Sequence, residues 1–184
     1  MTNRIEKICV IGGGPSGIIA SKELKEKGFD VQCFEKSENI GGVFSRGGNK
    51  SYYTLLNVSK FFISFSDFPP PDKEVCSWTW KEYGDYLERY VRAHQLSIQC
   101  RKEVLKVDRI DGKYTVVVHD LERDLREEKV FDAVVVCSGL HHAPRPFPFQ
   151  TEHQKFYHVP DLTEEAVASM KDKNILLFGL GEST

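Results

Sequence analysis

A glycine-rich segment near the start of the chain constrains its fold more than any other feature. Gly12, Gly14 and Gly17 form the pattern G-x-G-x-x-G within "VIGGGPSG", and the apolar run Lys7–Gly12 leads into it. A continuous apolar run of this kind is typical of a central parallel strand that is buried on both faces. The glycine pattern alone is weak, because many strand-to-helix turns are rich in glycine, so the segments that follow decide its meaning.

A helix and a second strand follow the glycines in the expected order. Apolar residues recur at helical spacing over Ser16–Lys27, and Gly28 is suited to end that helix because glycine tolerates a left-handed conformation. The segment Phe29–Lys36 then predicts a second strand, near whose end lies Glu35. A strand, a glycine turn, a helix and a strand within about thirty residues make up the unit that binds a dinucleotide.

Each residue of this pattern has a chemical reason. Gly12 permits a tight turn, Gly14 lets the backbone approach a pyrophosphate, and Gly17 lets the helix pack closely on the strands. The helix N-terminus offers unpaired N–H groups and a positive dipole end to phosphates. Glu35 lies near the offset of about 20 residues at which a carboxylate binds the ribose hydroxyls. Because a carboxylate there repels a 2′-phosphate, the sequence predicts FAD or NAD at this turn and not NADP.

The rest of the chain predicts an α/β fold with a second kind of sheet inserted. Apolar residues at three- and four-residue spacings over Trp80–Gln95 predict an amphipathic helix. The segment Glu103–Asp120 alternates like two strands, and Asp111-Gly112 between them is a strong hairpin signal. The segment Phe131–Cys137 then predicts another buried strand. We therefore expect a Rossmann-like parallel sheet with a small inserted antiparallel sheet, as in flavoproteins that bind two dinucleotides.

Composition excludes several classes of protein. The net charge of -2, with 28% charged residues, argues against a nucleic-acid partner, which calls for a basic excess. No apolar run approaches the ~20 residues of a transmembrane helix, so membrane attachment is not indicated in this segment. Five scattered cysteines without a C-x-x-C pattern favour a reducing, cytoplasmic location and disfavour a dithiol centre. The spacing of four histidines matches no helical metal site, so no metal is expected; they are His141, His142, His153 and His158.

Several segments together resemble the flavin-containing monooxygenases, and the resemblance covers nearly all of the chain. The segments are "GGGPSG", Glu35, "IGGVF" (Ile40–Phe44), "TLLNVSKFFISFSDFPPP" (Thr54–Pro71) and "FDAVVVCSGLHHAPRP" (Phe131–Pro146). The pattern N-x-S-K followed by F-S-D-F-P is the most specific of them. His158 aligns with the histidine of the family signature F-x-G-x-x-x-H. Glu152, Gln154 and Leu162 depart from that signature, where the family has Phe, Gly and an aromatic residue.

The glycine pattern and the resemblance together predict the residues of an FAD site. They are Gly12, Gly13, Gly14, Pro15, Ser16, Gly17, Glu35, Lys36, Gly41, Gly42, Val43, Ser138 and Gly139. The resemblance implies that Glu35 holds the adenosine ribose and that Gly41 and Gly42 let the backbone pass close to the cofactor. It also implies that Asn57 is a catalytic residue beside the isoalloxazine, where its amide can bind flavin, nicotinamide or peroxide. From the residues alone, Asn57 could instead form an Asx turn in a polar loop.

A second glycine pattern lies at the end of the chain. The segment Asn174–Phe178 predicts a short buried strand, and Gly179, Gly181 and Ser183 begin another fingerprint, which opens the NADPH-binding domain in the resembled family. We expect residues 1–172 to form an FAD-binding domain without its C-terminal return segment. Residues 173–184 would be the first strand and glycine turn of a truncated NADPH-binding domain. The alternative is that they are the tail of a single-domain protein.

The resemblance implies an NADPH-dependent monooxygenase of small molecules. In that family NADPH reduces FAD, O₂ adds to give a C4a-hydroperoxyflavin, and this species oxygenates a soft nitrogen or sulfur nucleophile. The 184-residue chain by itself is expected to be inactive. Two alternatives stay open, namely another two-dinucleotide flavoprotein, such as a Baeyer–Villiger monooxygenase, and a catalytically silent FAD-binding fragment or isoform. The sequence makes no prediction of the oligomeric state.

Overall fold

A computed structural model of the chain describes residues 5–45, 56–139, 156–157 and 164–179. They belong to two compact units, of which the first comprises Met1–Gly48 and Leu55–Leu140. The second comprises Asn49–Thr54 and His141–Thr184. Both sheets lie in the first unit.

Seven strands and four helices are described. In chain order they are β1 (Lys7–Ile11), α1 (Pro15–Glu26), β2 (Asp30–Phe34), α2 (Lys60–Ile63), α3 (Trp80–Ala93), β3 (Ile98–Gln99), β4 (Lys102–Ile110), β5 (Lys113–Asp120), β6 (Leu125–Phe131), β7 (Ala133–Val136) and α4 (Glu164–Ala168). A short 3-10 turn, Gly42–Phe44, lies between β2 and α2. Among these elements, no helix has the length and apolar character needed to cross a bilayer.

The parallel sheet is ordered β3-β2-β1-β7, with β1 between β2 and β7. The apolar sequence of β1 reflects this central place, since Cys9 and Val10 are fully buried. The helix α1 begins at Pro15, whose missing N–H costs nothing at a first helical position. It is followed by Gly28 at φ +84°, as predicted.

The antiparallel sheet is ordered β4-β5-β6. The predicted hairpin between β4 and β5 is confirmed, since Asp111 and Gly112 both have positive φ, +49° and +80°. The third strand, β6, was not predicted, because the charged residues 126–129 hide any alternation of apolar and polar positions.

The predicted strand Phe131–Cys137 is wrong at its start, because Asp132 divides it. Phe131 ends β6 in the antiparallel sheet, and β7 begins at Ala133 in the parallel sheet. The Asp132 carboxylate accepts hydrogen bonds from the backbone N–H groups of Glu6 and Lys7, both at 2.8 Å. A single side chain thus fixes the place where the chain passes from one sheet to the other.

Two buried clusters hold the first unit together. One joins the two sheets through Cys9, Phe34, Val116, Val118 and Phe131. The other, here called the aromatic cluster, lies between α1 and α3 and comprises Ile18, Trp78, Tyr83, Tyr86, Leu87 and Tyr90. The helix α3 begins with a capping box in which Thr79 and Glu82 hydrogen-bond each other's backbone N–H groups.

In the second unit, the prediction of a buried strand at Asn174–Phe178 is wrong. Residues 174–179 are neither helix nor strand, and Leu176 and Phe178 are 88% and 75% exposed. A strand requires a neighbour to complete its hydrogen bonds. Within the described ranges, no strand pairs with this segment.

Candidate functional site

The glycine turn between β1 and α1 is shaped by close backbone contacts. Gly12 has φ +105°, and a Cβ on it would lie 2.4 Å from the carbonyl oxygen of Cys137. A Cβ on Gly17 would lie only 1.8 Å from the carbonyl oxygen of Gly12. Both distances are far below van der Waals contact, so neither position accepts a side chain. The predicted steric roles of Gly12 and Gly17 are confirmed.

Gly14 has a less crowded environment, because a Cβ there would make only an ordinary van der Waals contact with Gly42. A Cβ there would come no closer than 3.6 Å to any described residue outside its chain neighbours. Gly14 is the N-cap of α1, and no described side chain caps the helix. The first intrahelical bond runs from the N–H of Ile18 to the carbonyl of Gly14, so the N–H groups of Ser16 and Gly17 lack an intrahelical acceptor. Such N–H groups, beside a residue without a side chain, fit an anion such as pyrophosphate.

A second pair of glycines faces the turn from the opposite side. Gly41 and Gly42 both have positive φ, +110° and +59°. The N–H of Gly41 donates to the carbonyl of Gly13 at 2.8 Å. A Cβ on Gly42 would lie 3.2 Å from the Cα of Gly14. The structure therefore brings the two predicted glycine segments together as opposed, side-chain-free backbones.

Glu35 lies directly after β2 and is bound to the glycine turn. The residue is only 7% exposed, and its carboxylate accepts hydrogen bonds from the N–H of Gly13 at 2.6 Å and of Ser37 at 2.7 Å. These two donors stabilise a buried negative charge. Each carboxylate oxygen has further acceptor capacity, so ribose hydroxyls could also donate to it. The sequence did not predict the hydrogen bond from Gly13 to Glu35. The order of β1 and β2 along the chain does not reveal it, because the two residues are 22 positions apart.

The segment after β7 completes this edge of the sheet. The N–H of Cys137 donates to the carbonyl of Ile11. This hydrogen bond places the chain after β7 beside the glycine turn. Ser138 and Gly139 follow, and Gly139 has φ +82°. The carboxyl ends of β1, β2 and β7 thus meet where open α/β sheets bind their ligands.

We call the residues at this edge the nucleotide cradle. They are Gly12–Gly17, Glu35, Gly41, Gly42, Ser138 and Gly139. Of the other predicted FAD residues, Lys36 follows Glu35 and is exposed, and Val43 follows Gly42 and is 69% exposed. That these residues bind FAD stays a prediction, but the backbone without side chains, the helix N–H groups and the carboxylate fit a dinucleotide.

Asn57 belongs to the first unit and is exposed, but its neighbour Leu56 is held in place. The N–H of Leu56 donates to the carbonyl of Trp78 at 2.8 Å, and Leu56 packs against the aromatic cluster. Phe44, next to the cradle, packs against the same cluster. Within the parts of the chain that the structure describes, no hydrogen bond joins Asn57 to the glycine turn. Its catalytic role therefore stays a prediction.

The most specific part of the family resemblance has structural contacts. Lys60 of N-x-S-K is buried and pairs with Asp72. Asp67 of F-S-D-F-P pairs with the buried Lys22 of α1 at 2.8 Å and accepts a hydrogen bond from the Tyr90 hydroxyl at 3.0 Å. The Lys22 interaction lowers the pKa of the Asp67 carboxyl. The contacts of Asp67 fasten the segment to α1 and α3.

Two residues near the cradle were missed by sequence reasoning. A Cβ on Gly84, in the middle of α3, would lie 2.8 Å from the carbonyl oxygen of Phe44. The sequence offered one indication of this contact, because a glycine inside an amphipathic helix often marks a place where another segment packs closely. Arg101 has a left-handed backbone, φ +57°, and its guanidinium lies 2.6 Å from the Glu38 carboxylate. No sequence pattern around Arg101 predicts this contact.

The second glycine pattern and the histidines lie mostly outside the described residues. Gly179 is described, with φ +131°, whereas Gly181 and Ser183 are not. The predicted NADPH turn therefore stays a prediction. His141, His142, His153 and His158 also lie outside the described ranges. Across the ranges that are described, no cluster of His, Cys, Asp or Glu could hold a metal ion.

The parallel sheet, the glycine turn and the carboxylate after β2 define a dinucleotide-binding α/β protein. The chain belongs to the flavin-binding monooxygenase-like family, whose profile matches residues 5–184. This confirms the predicted family and its flavin cofactor, and the similar solved structures confirm the predicted class of fold.

Known proteins of this class are similar over most of the chain. A 4-hydroxybenzoate brominase (decarboxylating) of Marinomonas mediterranea is 34% identical over 185 residues, which cover 97% of this chain and 35% of the brominase. Flavin-containing monooxygenase 3 of Macaca mulatta is 34% identical over 195 residues, which cover 97% of this chain and 36% of that protein. The structure of S-allyl-L-cysteine S-oxygenase from Allium sativum is 28% identical, with a TM-score of 0.66, over 76% of this chain and 37% of that one. This chain thus spans about a third of the length of these curated relatives.

Proposed function

We propose that this chain is the FAD-binding part of an NADPH-dependent flavin monooxygenase that acts on a small molecule with O₂. The observation that supports the proposal best is the nucleotide cradle. Gly14 and Gly42 face each other without side chains, and the Glu35 carboxylate lies 2.6 Å from the N–H of Gly13. A dinucleotide needs these three features together: backbone without side chains, helix N–H groups and a ribose acceptor.

In this proposal the protein residues bind and orient the cofactor. The N–H groups of Ser16 and Gly17 would hydrogen-bond the pyrophosphate, and Glu35 would accept from the adenosine ribose. Pro15, Lys36, Val43, Ser138 and Gly139 would line the path of the cofactor. Bound FAD supplies the hydride acceptor and the activation of oxygen, which side chains cannot provide. Asn57 would place its amide near the flavin ring and orient the reacting groups.

The substrate class that we propose is a soft nucleophile, with sulfur or nitrogen as the reacting atom. The similarity to an S-oxygenase from Allium sativum supports sulfur, since the name of that enzyme places the oxygenation on the sulfur of S-allyl-L-cysteine. The resemblance to flavin-containing monooxygenases supports either sulfur or nitrogen as the reacting atom.

A second candidate is the oxidative bromination of an aromatic acid. It is favoured by the 34% identity to a 4-hydroxybenzoate brominase, which equals the identity to a flavin-containing monooxygenase. The phenol ring that is brominated is an electron-rich group, like the sulfur or nitrogen atom of the first candidate. The same cofactor site would therefore serve both reactions. They differ in the substrate pocket.

We propose the domain division at residues 172 and 173, with the NADPH-binding part beginning in the second unit. The segment Gly179–Ser183 would be its glycine turn. An FAD-binding fragment or isoform without activity is the alternative for the chain by itself. A reducing, cytoplasmic location is also proposed, because the five cysteines are all free thiols.

Ligand titration tests the cofactor site directly. We expect the protein to bind FAD more tightly than NADP, and Glu35→Gln to weaken FAD by about tenfold or more, since a hydrogen bond to a charged group is worth about 1.5–3 kcal/mol. Glu128→Gln, which replaces an exposed glutamate of β6, is the matched control and should leave FAD binding unchanged. NADP binding that is tighter than FAD binding and survives Glu35→Gln would contradict the proposal.

Substrate comparison separates the two reactions. The full-length protein that carries this chain is given NADPH with a thioether, a tertiary amine, or 4-hydroxybenzoate plus bromide. The products are then identified by mass spectrometry. An S-oxide or N-oxide supports the first candidate, whereas a brominated phenol supports the second and excludes the first as the main activity.

A further inference from the structure

The loop that joins the ribose carboxylate to the second glycine pair is held at three places. This ribose-side loop runs from Lys36 to Gly41. At its start, the N–H of Ser37 donates to Glu35, and at its end the N–H of Gly41 donates to the carbonyl of Gly13 at 2.8 Å. The third place is its middle, where Arg101 makes two contacts.

Arg101 holds the middle of the ribose-side loop from outside the parallel sheet. Its N–H donates to the carbonyl of Ser37 at 3.0 Å, and its guanidinium Nη2 donates to Glu38 Oε1 at 2.6 Å. The backbone on either side of Arg101 brackets Glu35, whose N–H donates to Gln99 and whose carbonyl accepts from Lys102. Arg101 therefore acts on the same few residues that aim the ribose carboxylate.

The backbone conformation of Arg101 is unusual for an arginine. Its φ of +57° lies in the left-handed region, where residues other than Gly, Asn and Asp are uncommon. Such a conformation persists where surrounding contacts enforce it, and it often occurs at functional sites. Here the carbonyl of Arg101 also accepts from Leu121 in the turn between β5 and β6. The antiparallel sheet thus holds the backbone of Arg101 in place through the hydrogen bond from Leu121.

We propose that Arg101 is a positioning residue for the nucleotide, which acts through Glu38 to hold the ribose-side loop against the cradle. The inference rests on the proposed FAD site. Arg101 and Glu38 side chains are 45% and 67% exposed, so their ion pair is partly screened by solvent and its effect is modest. Loss of the pair should weaken FAD binding by about two- to fivefold.

Arg101→Gly separates a positioning role from a structural one. Glycine accepts φ +57° without strain, so the variant removes the guanidinium while it keeps the backbone turn. A positioning role predicts weaker FAD binding with an apo unfolding midpoint within about 3 °C of the parent, which is roughly the shift that 1 kcal/mol produces at this size. Arg101→Lys retains a charge for Glu38 and should bind FAD more tightly than Arg101→Gly does.

The experiment is an FAD titration, by flavin fluorescence, of the parent protein, Arg101→Gly, Glu38→Gln and the double variant. We expect the double variant to bind no more weakly than Arg101→Gly, because that variant already removes the pair with Glu38, together with a longer pair with Glu122 at 4.0 Å. Lys106→Gln breaks an exposed ion pair of β4 with Asp108 and is the matched control, with no expected change. Glu38→Gln breaks the pair without altering the turn at Arg101, so the test does not depend on one variant folding.

Several outcomes would overturn the inference. They are parental FAD affinity in both single variants, multiplied losses in the double variant, and a loss in Lys106→Gln of equal size. A parent protein that binds no FAD would overturn the proposed function itself, which is a different result from variants that bind like the parent.

Discussion

Gly84 occupies the middle of α3, and its replacement by alanine tests what this glycine does. In a helix interior, alanine is more favourable than glycine by about 1 kcal/mol. A Cβ at position 84 would, however, lie 2.8 Å from the carbonyl oxygen of Phe44. Ordinary carbon–oxygen contacts are about 3.3–3.6 Å, so the helix and the turn would have to separate by about 0.5 Å or more.

Neither partner in this contact can move without cost. The turn that contains Phe44 is fixed by Gly41, whose N–H donates to Gly13, and by the Phe44 ring, which packs edge-on against Tyr83 at 4.8 Å. Forcing extra volume into such a contact costs about 1–3 kcal/mol. After the gain in helix propensity, Gly84→Ala should lower the free energy of unfolding by about 0–2 kcal/mol. Because the displaced turn contains Gly42, FAD binding should weaken by about 3- to 10-fold.

Urea unfolding and FAD titration measure the two effects separately. Gly28→Ala is the matched control, since Gly28 has φ +84° and a Cβ on it would meet no described residue within 4 Å beyond its chain neighbours. It should lower stability by about 1–2 kcal/mol through backbone strain alone and leave FAD affinity unchanged. If Gly84→Ala is instead about 1 kcal/mol more stable than the parent and binds FAD equally well, helix propensity decides the outcome. The contact with Phe44 would then have no role.

Three further predictions concern catalysis, hydride transfer and pH. In the full-length protein, Asn57→Ala should reduce product formation while FAD content stays near parental, as measured by flavin absorbance; a parental rate of product formation would contradict the catalytic role. The 184-residue chain spans about a third of the length of its curated relatives, and a nicotinamide must be held within about 3–3.5 Å of its acceptor, so the chain loaded with FAD should show no rapid bleaching of the flavin when NADPH is added without oxygen; saturable bleaching would refute this. The Lys113 ammonium and two backbone N–H groups lower the pKa of the Asp132 carboxyl. The ionised carboxylate therefore stabilises the folded protein at pH values above the ordinary aspartate pKa of about 3.9. This stabilisation is lost as the pH falls below that value and the carboxylate becomes protonated. Acid unfolding of Asp132→Asn should therefore depend less on pH than that of the parent, and equal pH profiles would exclude this contribution.

The glycine turn could be predicted from sequence because its requirements are local. The positive φ of Gly28 and of Gly112 follows from single residues at the ends of predicted elements. The steric need for Gly12 and Gly17 follows from the known geometry of a strand entering a helix. Each of these features depends on neighbours within a few positions, which a sequence pattern records directly.

Features that depend on distant partners were not predictable. The division between β6 and β7 depends on Asp132, whose carboxylate binds the N–H of Lys7 from 125 positions away. The support that Arg101 gives to Glu38 joins residues 63 positions apart. The segment Asn174–Phe178 has a strand-like composition, but a strand forms only where a partner strand lies beside it.

The Asp132 junction also has a consequence for the order of folding. Pairing β7 with β1 closes a loop of more than a hundred residues, since Ile8 lies opposite Ala133. Hairpins form from near neighbours, so β4, β5 and β6 can assemble earlier and shorten the effective loop. Asp132 would then reach Lys7, and β7 would align beside β1 from that point. Cys137, which backs Gly12, would arrive last. We therefore expect the nucleotide cradle to be among the final parts of the protein to form during folding.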